Sequence, residues 1–140
     1  MRDEHTVICS PAVFELIAPD VPVVPVKVEL TYNSRDPYAV QASFRTGHGT
    51  AVDWVFARDL LAEGLHRPTG TGDVRVWPSR SHGQGVVCIA LSSPEGEALL
   101  EAPARALESF LKRTDAAVPP GTEHRHFDLD TELSHILAES

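Results

Sequence analysis

Histidine and aspartate come together once in this chain, at His124-Arg-His126 followed by Asp128 and Asp130. These are metal-compatible ligand types, and alternate residues would project together if the segment were extended. Nothing completes the pattern. No cysteine lies near, the segment follows the rigid connector Val118-Pro-Pro-Gly121, and Asp128 or Asp130 has a ready role as the cap of a last helix. Ser92 and Ser93 have no adjacent histidine or glycine elbow, and neither Gly70-x-Gly72 nor Gly83-x-Gly85 continues into a phosphate-cradling loop that opens a helix. The glycines read as turn residues, and His5, His48, His66, His82 and His135 as solvent-exposed side chains. No catalytic residue, metal site or cofactor is expected.

The aromatic and basic side chains carry more information. In the alternation Asp73, Arg75, Trp77, the tryptophan lies opposite the inward-facing Val74 and Val76 and beside an arginine. Lys27, Gln41 and Arg45 belong to similarly outward rows. Tryptophan with arginine suits an interface anchor, and it also suits a base-stacking platform. The other reading is that helices or the N-terminal strand cover this face and make Trp77 core. Lys27, Gln41, Arg45, Arg75 and Trp77 are therefore the candidate partner or oligomer interface. Trp54, in phase with Val52 and Phe56, reads as core.

Strands position these residues. Val24 to Tyr32 alternates strictly, with Val24, Val26, Val28, Leu30 and Tyr32 on one side and Lys27, Glu29 and Thr31 on the other. Pro22 and Pro25 give this strand an edge-like or irregular start. A turn at Asn33-Ser-Arg-Asp-Pro37 leads to a strand over Tyr38 to Arg45, and Gly47-His-Gly49 leads to Val52, Trp54 and Phe56. An earlier strand is expected over Thr6 to Ile17, interrupted by Pro11. Arg58 to Gly64 reads as a short helix stopped by a left-handed glycine cap. Further strands follow at Val74 to Trp77 and Val86 to Leu91. Ser93-Pro94-Glu95 reads as a helix start, with Pro103 breaking or kinking the helix before Ala104 to Arg113. Leu129, Leu133, Ile136 and Leu137 recur at the spacing of a last helix. This order indicates an α+β domain with a mostly antiparallel, strongly curved sheet, a short helix after the fourth strand and C-terminal helices.

The chain has 140 residues, 42% of them hydrophobic, which is the size of one domain spanning 1–140. Its longest apolar runs fall far short of the roughly 20 residues of a spanning helix. The start Met1-Arg-Asp-Glu-His5 lacks the features of a signal peptide, so a cytoplasmic location without membrane insertion is expected. Cys9 and Cys88 have no CxxC spacing and read as two buried, reduced thiols. A net charge of −8 leaves no broad basic surface for a phosphate backbone, so nucleic-acid binding is not expected. Residues 95–140 hold ten acidic and four basic side chains. Glu97, Glu101 and Glu108 read as solvated helix faces, or else as a docking surface for a basic partner.

Trp54-Val-Phe-Ala-Arg-Asp-Leu-Leu61 and Gly72-Asp-Val-Arg-Val-Trp-Pro78 resemble the SsgA-like proteins of actinobacterial sporulation and cell division. Asp36-Pro-Tyr-Ala-Val40, Ala90-Leu-Ser-Ser-Pro94, Ala98-Leu-Leu-Glu101 and Val118-Pro-Pro-Gly121 match in the same order and spacing. The resemblance implies a barrel-like, whirly-type fold, no enzymatic activity, and a homo-oligomer, with a trimer favoured. It also implies action at the septum, where the protein would help select division sites by positioning or stabilising FtsZ together with an SsgA-like paralogue. The whirly-type fold raises one alternative, single-stranded nucleic-acid binding through Lys27, Arg45, Arg75 and Trp77, although fold does not carry function between families.

Overall fold

Period-two alternation dominates the chain, and it produces seven strands. The computed structural model describes residues 5–18, 22–45, 51–94 and 96–126. The strands are β1 (Val7–Ile17), β2 (Val24–Asn33), β3 (Ala39–Arg45), β4 (Ala51–Ala57), β5 (Val74–Ser81), β6 (Gln84–Ser93) and β7 (Gly96–Pro103). Helix α1 (Arg58–Gly64) follows β4, α2 (Ala104–Ala117) follows β7, and a 3₁₀ turn occupies Glu123–Arg125.

The strands form one antiparallel sheet in the order β4-β3-β2-β1-β7-β6-β5. It consists of two meanders, β1 to β4 and β5 to β7. Among the described residues they meet at three register pairs between β1 and β7: Glu15 with Glu101, Leu16 with Leu100 and Ile17 with Leu99. The sheet is open, with β4 and β5 as its edges, so the barrel-like closure expected from the sequence is not found and a whirly-type fold is not established.

One face of the sheet is the core. Phe14, Val26, Val28, Leu30, Tyr32, Val40, Phe44, Phe56, Val76, Ile89 and Leu100 are buried there with Leu61 of α1 and with Leu107, Phe110 and Leu111 of α2. Phe14 and Phe44 meet edge to face, their centroids 6.0 Å apart. Helix α2 packs across β1, β6 and β7, and α1 packs against β4 and β5. The opposite, outer face carries none of the described helices.

Several expectations need correction. The expected helix from Ser93 to Pro103 is not found: β6 ends at Ser93, Gly96 to Pro103 is strand β7 paired back onto β6, and Gly96 has φ +144°. Ala98, Leu100 and Ala102 then face the core while Glu97, Leu99 and Glu101 face out. Alanine, leucine and glutamate are good helix formers, and here cross-strand pairing overrides that preference. Glu97 and Glu101 are accordingly on a strand, not a helix face. Pro103 ends β7 with φ −61° and ψ 125° and serves as the N-cap position of α2 rather than as a kink. Gly64 is not a left-handed cap. It is buried where a Cβ would run into Val76, so glycine is required by the close approach of α1 to β5. Strand β2 lies inside the sheet, but among the described residues Val24, Pro25 and Val26 pair with β1 alone, which is the edge-like start expected from Pro22 and Pro25. Trp54 is half-buried on edge strand β4, stacked on Phe56 at 6.4 Å, rather than enclosed. The expected helix over Leu129 to Leu137 and the turn at Gly47 to Gly49 fall outside the described residues.

Candidate functional site

Register places every interface candidate on the outer face but does not gather them. Lys27 lies directly across from Arg45, and Val13 flanks Lys27 on β1. Both cations are exposed, in a shallow groove of about 380 Å³. Gln41 lies opposite Thr31 and Val55, outside that groove. Arg75 and Trp77 lie on edge strand β5, with β1, β7 and β6 between them and Lys27. At the usual strand spacing that separates the two groups by roughly 19 Å.

The β5 group borders the larger concavity, about 920 Å³ in volume. Two ladder rows shape it. One runs Arg75, Ala90, Leu99, Ile17; the other runs Trp77, Cys88, Glu101, Glu15. Ala90 is the small residue of the first row, and its missing bulk leaves the depression. Trp77 is half-buried at one side, and the Thr71-Gly-Asp73 segment forms the other. Asp73 and Glu97 also line it, and no ion pair joins either to Arg75 among the described residues. The expectation that helices cover Trp77 is not met by α1 or α2. The edge beyond β5 is partly closed by Thr69, which exchanges backbone hydrogen bonds with Val76 at 2.8 and 2.9 Å.

Sequence reasoning missed the main polar feature of the interior. Arg58, at the start of α1, is only 2% exposed. Its guanidinium donates to Glu123 Oε2 at 2.8 Å, to the Val118 carbonyl at 2.9 Å and to the Thr114 carbonyl at 3.2 Å. Asp115 approaches at 3.4 Å, and the group lies 5.2 Å from the centroid of the Tyr32 ring. Helix α2 has no basic residue in its last turn. Arg58 supplies that charge from another element; it bonds the Val118 carbonyl just past the helix end and shares the Thr114 carbonyl with the Val118 N–H. Glu123 Oε1 also accepts the Gly121 N–H at 2.9 Å. The Arg58 hydrogen bond holds the Glu123 carboxyl below the ordinary glutamate range, whereas burial pushes Asp115 up despite the same cation. Burial likewise pushes Tyr32 up to about 12, and its hydroxyl donates to the Pro37 carbonyl at 2.9 Å. A signal was present: Arg58 continues the inward phase of Val52, Trp54 and Phe56 by one step.

His124 and His126 are exposed, and Asp128 and Asp130 lie outside the described residues. Among the described residues no group of three or more His, Cys, Asp or Glu side chains is placed to hold a metal ion. Of the thiols expected to be buried, Cys88 is, and burial raises its pKa. Cys9 is exposed on the outer face because it falls in the outward phase of β1. No helix among the described residues is long and apolar enough to cross a membrane.

Known proteins give a consistent picture. The sporulation-specific cell division protein SsgB of Streptomyces coelicolor is 86% identical over 116 residues, covering 83% of this chain and 85% of that protein. SsgB of Saccharopolyspora erythraea is 51% identical over 137 residues, covering 98% of this chain and 96% of that one. A solved structure concerned with SsgB mutations and longitudinal cell division during sporulation of Streptomyces coelicolor superposes with a TM-score of 0.87 at 71% identity. It covers 91% of this chain and all of its own. The SsgA-like protein of Thermobifida fusca superposes with a TM-score of 0.86 at 43% identity, covering 96% and 98%. The model of the family described as Streptomyces sporulation and cell division protein, SsgA, matches residues 26–123, so this chain belongs to the SsgA family.

Proposed function

We propose that this protein is a non-enzymatic interaction protein of sporulation-specific cell division, which helps select septum sites by positioning or stabilising FtsZ together with an SsgA-like paralogue. The observation that carries the reading is the 86% identity over 116 residues to a protein named for sporulation-specific cell division. Its place of action is the cytoplasmic side of the septum. The protein works as a homo-oligomer, with a trimer favoured, and Trp77 and Arg75 serve as the partner anchor. Edge strand β4 supports self-association, because no described residue pairs with its outer side and Val55 is 62% exposed on it.

Single-stranded nucleic-acid binding is the competing reading, supported by an aromatic and an arginine side by side on an outer sheet face. Two features weigh against it. Lys27 lies four strand spacings from Trp77 and Arg45 five, and the carboxylates around Trp77 repel phosphate.

Co-sedimentation with polymerised FtsZ, set against fluorescence anisotropy with labelled oligonucleotides at moderate salt, decides between them. Saturable co-sedimentation without oligonucleotide binding is expected. Saturable oligonucleotide binding that weakens steeply with salt and is lost in Trp77→Ala would replace the scaffold with a stacking platform.

A further inference from the structure

We infer that the concavity beside Trp77 is a docking groove for a short partner-protein segment in which an aliphatic side chain is flanked by lysine or arginine. The inference rests on the partner-anchor reading of Trp77 and specifies what that anchor meets.

Shape defines the aliphatic part. Ala90 lies between Arg75 and Leu99 in the register, with Ile17 beyond, so the floor is apolar and recessed at one residue. At the rim, a Cβ built on Gly72 would meet nothing within 4 Å, so the entrance is open there. A recess of about 920 Å³ is large enough for several side chains, and a large aromatic at its wall is the usual composition of an anchor site.

Charge defines the flanks. Asp73 and Glu97 line the groove, and Glu15 and Glu101 face one another directly in the adjoining row, on the same side as Trp77. Like charges opposite each other in a ladder are destabilising, and a cation from outside relieves that cost. Among the described residues Arg75 is the one lining cation set against these four carboxylates. A guanidinium or ammonium reaching over Cys88 toward Glu101 lies in the same ladder row as Trp77, so cation–π attraction to the indole would add to the ion pair. The chain's own C-terminal segment does not fit this description. Residues 127–140 contain Asp128, Asp130, Glu132 and Glu139 and no lysine or arginine, so they share the sign of the groove.

The test is an NMR titration of the intact ¹⁵N-labelled protein with three capped pentapeptides. One has lysines and arginine flanking leucine and valine. The second carries glutamate in place of every cation, and the third carries serine in place of leucine and valine. Saturable shifts at Ala90, Leu99 and the Trp77 indole with the first peptide alone are expected. Its affinity should fall at least tenfold in Trp77→Ala, and preference should turn toward the acidic peptide in Glu15→Lys/Glu97→Lys, both exposed positions, with circular dichroism confirming that each variant is folded. No saturation by the first peptide, equal response to the acidic one, or shifts confined to Lys27 and Arg45 would overturn the proposal. FtsZ co-sedimentation of the same charge-swap variant separates the two readings. If peptide binding is present and FtsZ binding is absent in the parent protein, the groove stands and the FtsZ reading falls. If FtsZ binds the parent and the swap equally, the groove proposal falls and the FtsZ reading stands.

Discussion

Arg58 and Glu123, 65 positions apart in sequence, are joined by a 2.8 Å hydrogen-bonded ion pair with both side chains nearly excluded from water. The pair fastens the end of edge strand β4 to the segment leaving α2. It also fixes the path of the chain past Val118, whose carbonyl Arg58 holds at 2.9 Å. Three further acceptors around the guanidinium, together with the Gly121 N–H on Glu123, complete the polar partners that a buried ion pair needs.

Removing one partner strands the other. Arg58→Met should lower unfolding stability by about 3–5 kcal/mol, because Glu123 is then left buried without its counter-ion. Denaturation of Arg58→Met, Glu123→Gln and the double variant checks this. The double variant should lose clearly less than the two single losses combined, and simple additivity would show that the pair is not coupled.

The same pair sets an acid limit. Glu123 has a lower pKa folded than unfolded, so its contribution is fully present above the ordinary value of 4.5, starts to fade as the pH falls below it, and is lost below the depressed folded value. Asp115, raised by burial, has the opposite sign and offsets part of the effect. The stability gap between the parent and Glu123→Gln should therefore be widest at neutral pH and shrink on acidification. A gap that is constant from pH 7 to pH 3 would refute the linkage.

Gly64→Ala distinguishes propensity from packing. In an ordinary helix position the change stabilises by up to about 1 kcal/mol. Here the new methyl collides with Val76, and a loss of about 1–3 kcal/mol is expected. In a Val76→Ala background the same substitution should cost much less, and thermal melts of the four proteins read the difference.

The two tryptophans should separate stability from binding. Trp54 packs partly into the core on β4, and Trp54→Ala should cost roughly 2 kcal/mol, less than the 3–5 of an enclosed aromatic. Trp77→Ala, on the outer face, should cost about 1 kcal/mol or less in stability but about 2 kcal/mol or more in self-association or FtsZ binding. Equal melting temperatures for Trp54→Ala and the parent would contradict the first half; unchanged binding by Trp77→Ala would contradict the second.

Legibility in the sequence followed chemistry with a short repeat. β2 and β3 alternate apolar and polar residues, so their faces could be assigned from phase alone, and the outward setting of Arg75 and Trp77 came from the same rule, whereas the outward row of β1 is mostly apolar and hid the exposure of Cys9. The family was legible because several segments of unusual composition occur in a fixed order. Strand β7 was not, since Glu97-Ala-Leu-Leu-Glu101 satisfies a helix as well as a strand and only pairing with β6 and β1 decides. The Arg58 cluster was hidden for a related reason. Its partners, at Thr114, Asp115, Val118 and Glu123, are far along the chain, and a charged residue at a helix start is ordinarily read as exposed. The separation of Lys27 and Arg45 from Trp77 likewise depends on strand order, which alternation does not encode.

The three-pair seam between β1 and β7 also governs how this chain finds its fold. Each meander is made of neighbours in sequence and can assemble by local hairpin closure, on a timescale of microseconds. The seam instead joins the first strand to the last, so the entropy of closing that long loop must be met before Leu16 and Leu100 bury each other. Helix α2 forms immediately after β7 and touches β1, β6 and β7 at once. Docking of two preformed halves under that helix is thus the expected slow step, and a nascent chain cannot complete its sheet until β7 and α2 have left the ribosome.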